Sequence, residues 1–139
     1  FTREQKTVAN WWDGEFGVNG LQWSLPVLHD AVVVNGPLTR SDLVRLTATN
    51  PAATFGFPQK GSLTPGTDAD IVVFDPEATQ TVDGAQNHSA ADYSIYDGRT
   101  VQGRVDKTFV RGELVAEDGA PTATEGHGEY VARTPPTWG

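Results

Sequence analysis

Asn50-Pro51-Ala52-Ala53-Thr54-Phe55-Gly56, then Lys60-Gly61-Ser62-Leu63-Thr64-Pro65-Gly66-Thr67-Asp68-Ala69-Asp70, then the apolar run Ile71-Val72-Val73-Phe74: along this stretch the 139-residue chain changes character. Asn50 and Pro51 read as an N-cap followed by a proline in the first helical turn, opening a short helix that Gly56 closes. Gly61, Pro65-Gly66 and Asp68 are turn residues. The β-branched run after them is a short strand, stopped by Asp75-Pro76.

Upstream the pattern is helical. Leu21, Leu25, Leu28 and Val32 recur at spacings of three and four, which predicts an amphipathic helix ending at Asn35-Gly36. Pro26 fits best in a first turn, so the regular part starts near Ser24. His29 reads as a half-exposed residue on that helix. Thr39-Arg40-Ser41-Asp42 has the form of a capping box, with Leu43, Val44 and Leu46 as the buried face of the helix it starts. Residues 1–20 carry charge, Gly and Trp without a period and read as a long loop. Its Gly14, Gly17 and Gly20 lack the spacing and the preceding strand of a dinucleotide fingerprint.

Downstream, residues 77–100 read as irregular surface. Val105–Val110 and Glu113–Ala116 flank Arg111-Gly112 as a hairpin, and residues 119–139 read as a tail. Helices followed by strands imply two unlike units.

Composition narrows the function. With 10 Lys+Arg against 18 Asp+Glu the net charge is −8, which disfavours nucleic acid as a partner. Cysteine is absent, excluding disulfides and zinc knuckles. No apolar run approaches a membrane span, so no membrane is expected as a partner. The chain opens on Phe1 and contains no Met, so its start is expected to be a cut. A complete (β/α)₈ barrel needs about 250 residues and does not fit.

Candidate chemistry is sparse. His29, His88 and His127 are far apart, without the short spacing of a zinc site. Asp68 and Asp70 have oxygen ligands suited to a hard cation, but lie where Asp bonds the local backbone, and that turn role is expected. His127, between Gly126 and Gly128, reads as a loop residue. Trp11, Trp12, Phe16 and Trp23 either wall an apolar substrate pocket or pack the loop against a neighbour.

The stretch from Asn50 to Asp70 resembles the C-terminal signature of metal-dependent amidohydrolases. His88-Ser89-Ala90-Ala91-Asp92-Tyr93-Ser94-Ile95-Tyr96-Asp97-Gly98 and Thr108-Phe109-Val110-Arg111-Gly112-Glu113-Leu114-Val115 are similar to segments of the hydantoinase and dihydropyrimidinase branch. Gly17-Val18-Asn19-Gly20-Leu21-Gln22 looks more like allantoinases, and Gln22 and Ser24 depart from the hydantoinase pattern. The resemblance, reaching from Phe1 to about Val131, implies an α/β chain. It would be a C-terminal fragment of a TIM-barrel amidohydrolase, carrying the last barrel helices plus strands of the accompanying small β-sandwich domain. The implied division is 1–57 (end of the barrel), 58–118 (part of a composite β domain) and 119–139 (tail).

The implied activity is hydrolysis of a cyclic amide at a binuclear zinc centre. A metal-bound hydroxide would attack a ring carbonyl, and an aspartate would pass the proton to the leaving nitrogen. Allantoinase and a non-catalytic scaffold are the alternatives. In the family the metal-binding histidines, carboxylated lysine and last metal-binding aspartate precede the position matching Phe1. This chain is therefore expected to supply no catalytic residue and no metal ligand. The one element carried over is substrate binding by backbone at Phe16 and Gly17. The implied partners are the rest of the barrel, a small cyclic amide, and further copies in a homo-oligomer (a homotetramer), in the cytoplasm.

Overall fold

A computed structural model describes residues 1–135; the end of the expected tail, 136–139, lies outside the described residues. Helix α1 (Arg3–Lys6) is followed by a single 3₁₀ turn, Trp11–Asp13. Helix α2 (Ser24–Leu28) begins where Pro26 required and continues without a break as a wider, π-type coil, His29–Val34. Helix α3 (Arg40–Val44) likewise widens over Arg45–Thr49 and runs on into α4 (Asn50–Phe55).

The break expected at Asn50-Pro51 is therefore absent. Thr49 and Asn50 are both helical, and the Asn50 N–H bonds the Arg45 carbonyl five residues back. A regular α-turn would drive the Pro51 ring into the carbonyl four residues earlier; the wide coil ahead of it removes that clash. Gly56 does close the helix, in a left-handed conformation.

The capping box forms as expected. The Thr39 hydroxyl accepts from the Asp42 N–H and Asp42 Oδ2 accepts from the Thr39 N–H, both at 3.1 Å. The Thr39 hydroxyl, the Thr39 N–H and then Arg45 hold the Asp42 carboxyl down at about 2. This contribution is present at neutral pH and is lost only as pH falls through that lowered value. Thr39→Ala should cost about 1 kcal/mol and return the Asp42 pKa toward the ordinary carboxylate range, as read by an NMR titration of its side chain.

Among the described residues four antiparallel strands follow in the order β1-β2-β3-β4: β1 (Ile71–Thr81), β2 (Thr100–Val110), β3 (Glu113–Glu117) and β4 (Ala120–Pro121). The expected stop at Asp75-Pro76 is overturned. The strand shifts register between Asp75 and Thr79 and continues to Thr81. Pro76 is tolerated because β1 is an edge strand and Asp75 Oδ1 accepts from the Glu77 and Ala78 N–H groups, bridging the irregularity. The β2–β3 hairpin is as expected: Arg111 (φ 51°) and Gly112 (φ 83°) both take the positive φ of a primed turn.

The core is small: Trp23, Val27, Val82 and Val101, with Tyr96 against it. The helix at 24–34 thus buries a different face from the one its apolar stripe marks. Trp23, Pro26, Val27 and Asp30 are buried, whereas Leu21 is 92% exposed and Leu28 is 40% exposed. The sheet lies on the first face, and the described residues cover the second only in part, leaving Leu25 and Val32 half-buried. Of Leu43, Val44 and Leu46 only Leu43 is buried, for the same reason. Residues 82–99 are irregular and mostly exposed, as expected, but Val82, Gly84, Ala91 and Ser94 are buried, and the loop closes over the helix start.

Candidate functional site

The segment ahead of α2 is held by its own short elements. Thr2 and Gln5 cap α1 reciprocally, which aims Lys6 forward. Its ammonium donates to the Glu15 carbonyl and, at 2.6 Å, to the Gly17 carbonyl. Gly17 has φ 107°, a conformation closed to other residues, so the chain turns there. Between the two tethered carbonyls, Phe16 is 70% exposed, and neither its N–H nor its C=O is paired among the described residues. A donor and an acceptor on one outward-facing residue can pair with the N–H and C=O of an amide or imide.

The four aromatics do not form one group. Trp11 and Trp12 stack with ring centroids 3.8 Å apart and stay exposed, like Phe16, while Trp23 belongs to the core.

The 82–99 loop supports this segment. Asp97 ties it together, accepting from the Gly84 N–H (2.6 Å) and the Ser94 N–H (3.0 Å). Asp92 accepts from the Arg3 N–H at 2.7 Å, and the Arg3 guanidinium lies over the Tyr93 ring. Gln22, Asn19 and Trp23 also reach across to it. Of these partners sequence reasoning flagged Gln22 only as a family marker. It missed Asn87, which accepts from the Trp23 indole 64 residues away, because nothing local distinguishes a side chain that bonds so distant a segment; Lys6 and Asp97 bond nearer backbone, at Glu15 and Gly17 and at Gly84 and Ser94.

The histidines fall in three separate places. His29 is not half-exposed but 1% exposed, its Nδ1 2.8 Å from the Gln102 carbonyl oxygen and its ring edge-on to Phe74. The helix turns it inward because the sheet packs on that face. His88 has an exposed side chain. His127 sits in the tail, 3.2 Å from Glu113, with its carbonyl bonded by Arg111. Asp68 and Asp70 converge on Lys60, and Asp70 Oδ1 also accepts from the Arg111 N–H across the hairpin tip. Their role is thus an ion cluster rather than a local turn. Burial opposes the Asp70 carboxylate, but Lys60 and the Arg111 N–H outweigh it and hold its pKa below the usual value; Lys60 is raised in turn. Among the described residues no three His, Asp or Glu side chains are grouped to hold a metal ion, and no helix is long and apolar enough to cross a membrane.

A family model described as the amidohydrolase family matches residues 6–115. The chain belongs to the amidohydrolase family. Within it, the chain is 41% identical over 118 residues to a D-hydantoinase of Streptomyces coelicolor, covering 84% of this chain and 25% of that protein. It is 38% identical over 120 residues to a dihydropyrimidinase of Rattus norvegicus, covering 86% and 23%. A solved D-hydantoinase (dihydropyrimidinase) from Thermus superposes with a TM-score of 0.91 at 30% identity, over 99% of this chain and 31% of that one. The L-hydantoinase of Arthrobacter aurescens gives a TM-score of 0.82 at 38% identity, over 88% and 28%. The α/β arrangement with its antiparallel sheet is thus that of hydantoinase structures. The chain spans about a quarter of the length of the curated relatives it matches.

Proposed function

We propose that this amidohydrolase chain is the C-terminal portion of a hydrolase that opens cyclic amides of the hydantoin or dihydropyrimidine type. The observation that carries this is the free Phe16 peptide between carbonyls tethered by Lys6. A cyclic imide or amide presents N–H and C=O side by side, and a backbone residue with both groups free pairs with them while tolerating any side chain. The chain's own part is to bind and orient the ring. Ordering the backbone before substrate arrives reduces the entropy lost on binding.

The described residues do not fit a metal centre: His29 is sealed against the sheet, and His88 and His127 stand apart from it and from each other. The binuclear centre, zinc by family resemblance, is proposed to lie in the remainder of the protein. The exposed Leu21, Leu28, Val44 and Leu46 support a barrel wall as partner for the helices. With that goes the division into barrel end (1–57), composite β domain (58–118) and tail (119–139). A homo-oligomer in the cytoplasm completes the proposal.

The test is a side-by-side assay of the complete protein. Hydantoins substituted at the 5-position or dihydrouracil should be opened faster than allantoin. Allantoin as the faster substrate would make the protein an allantoinase, as the Gly17–Gln22 stretch suggests. Turnover of none of them would leave a non-catalytic scaffold.

A further inference from the structure

We infer that Asn87, with Gln22, is a positioning latch that fixes the Phe16–Gly17 backbone for substrate; the inference rests on the substrate-binding role just proposed for that segment. Asn87 is half-buried between the two loops, and both ends of its carboxamide are engaged. Oδ1 accepts from the Trp23 indole N–H at 3.0 Å, and Nδ2 donates to the Tyr93 carbonyl at 2.9 Å and, more weakly, to the Ala91 carbonyl at 3.4 Å. The Tyr93 carbonyl also receives Asn19 Nδ2, so one oxygen is shared by an amide from each segment. On either side of Asn87, Gln22 spends both ends of its own amide: Nε2 donates to the Gln86 carbonyl (2.9 Å) and Oε1 accepts from the His88 N–H (3.0 Å).

The positions bonded on the substrate side, Asn19, Gln22 and Trp23, follow the Phe16–Gly17 peptide directly. That segment contains no strand and no helix longer than one turn between α1 and α2. Lys6 holds it at one end; the Asn87 latch holds the other. A backbone site without this second anchor must be ordered by the ligand itself, which weakens ground state and transition state alike. The signature of such a loss is a raised KM with kcat unchanged.

The experiment compares Asn87→Ala, Gln22→Met and Gly17→Ala in the complete enzyme, using the cyclic amide it opens fastest. Hydrogen exchange of the amides of residues 15–23 is followed in parallel. Asn87→Ala should raise KM roughly ten-fold, the equivalent of one or two lost hydrogen bonds, leave kcat within about two-fold, and speed exchange in 15–23. Gln22→Met should do the same to a smaller degree, because the Gln22 side chain is exposed and water competes for its bonds. Where Asn87→Ala does not fold, Gln22→Met decides by the same two readouts. An unchanged KM or unchanged exchange in the deciding variant, with Gly17→Ala still raising KM, overturns the latch alone. A Gly17→Ala enzyme with unaltered KM removes the substrate role of the segment, and the latch with it.

Discussion

In the complete protein, Gly84→Ala is expected to unfasten the 82–99 loop at a cost of roughly 3 kcal/mol or more. A Cβ at this position would stand 2.4 Å from the Ser94 nitrogen, 2.5 Å from the Tyr93 carbonyl carbon and 2.6 Å from the Tyr93 Cα. All three are backbone atoms, which cannot rotate aside as a side chain would. They are also pinned, since Asp97 accepts from both the Gly84 and the Ser94 N–H groups. Relief therefore requires separating the two limbs of the loop, which breaks those bonds and uncovers Ala91 and Ser94. Native-state hydrogen exchange reads this directly: protection of the loop amides should fall roughly a hundred-fold. If protection in 82–99 stays within a few-fold of the parent, the close approach is not what sets the loop.

Asp30→Ala should be the second severe change, costing about 2 kcal/mol. Asp30 is 9% exposed under the helix, with Oδ2 2.9 Å from Arg99 Nη2 and Oδ1 accepting from the Gln102 N–H at 3.1 Å. It joins the helix to the start of the core strand β2. Removal leaves the Gln102 N–H unpaired beneath the helix, whereas the half-exposed Arg99 recovers water. The Arg99 hydrogen bond, then the Gln102 N–H, hold the Asp30 carboxyl below its ordinary value. The sign follows from that direction: the folded pKa lies under the unfolded one. The stabilisation is therefore complete above the usual carboxylate range, about pH 4, and is lost as pH falls through the lowered folded value. Asp30→Asn keeps an acceptor for Gln102, so it should cost less and remove this part of the acid dependence. Exchange-derived stability at a series of acidic pH values, compared between parent and Asp30→Asn, checks it; parallel curves would show that the carboxylate is not linked to folding.

Local signals carried much of the architecture. The Thr39–Asp42 box, the helix start near Ser24, the Gly56 stop and the Arg111-Gly112 turn were all legible because each is settled by residues within one turn of each other. The Asn50-Pro51 and Asp75-Pro76 stops were misread for a shared reason. A proline forbids a regular ladder or α-turn, but a wide coil before Pro51 and a register shift at Pro76 evade the prohibition. Neither device is written in the flanking residues.

The segment proposed to bind substrate was visible in outline as a Gly-rich loop with exposed aromatics, and the motifs from Asn50 to Asp70 and from His88 to Gly98 marked the family. What the sequence by itself determined was the helices between Ser24 and Phe55, the β2–β3 hairpin, their local caps and turns, and membership of the amidohydrolases, because these depend on near neighbours or on strings of consecutive residues; α1 within the expected loop 1–20 and β4 within the expected tail were not legible. Only the tertiary structure decided which helix face is buried, that His29 is sealed and Leu21 left out, and that Asn87 and Gln22 bind two loops together. Such choices belong to the sheet and the loop that pack against the helix from some seventy residues away, as Asp30 does at Gln102; an apolar stripe states that a face wants cover, and the partner that arrives determines which face receives it.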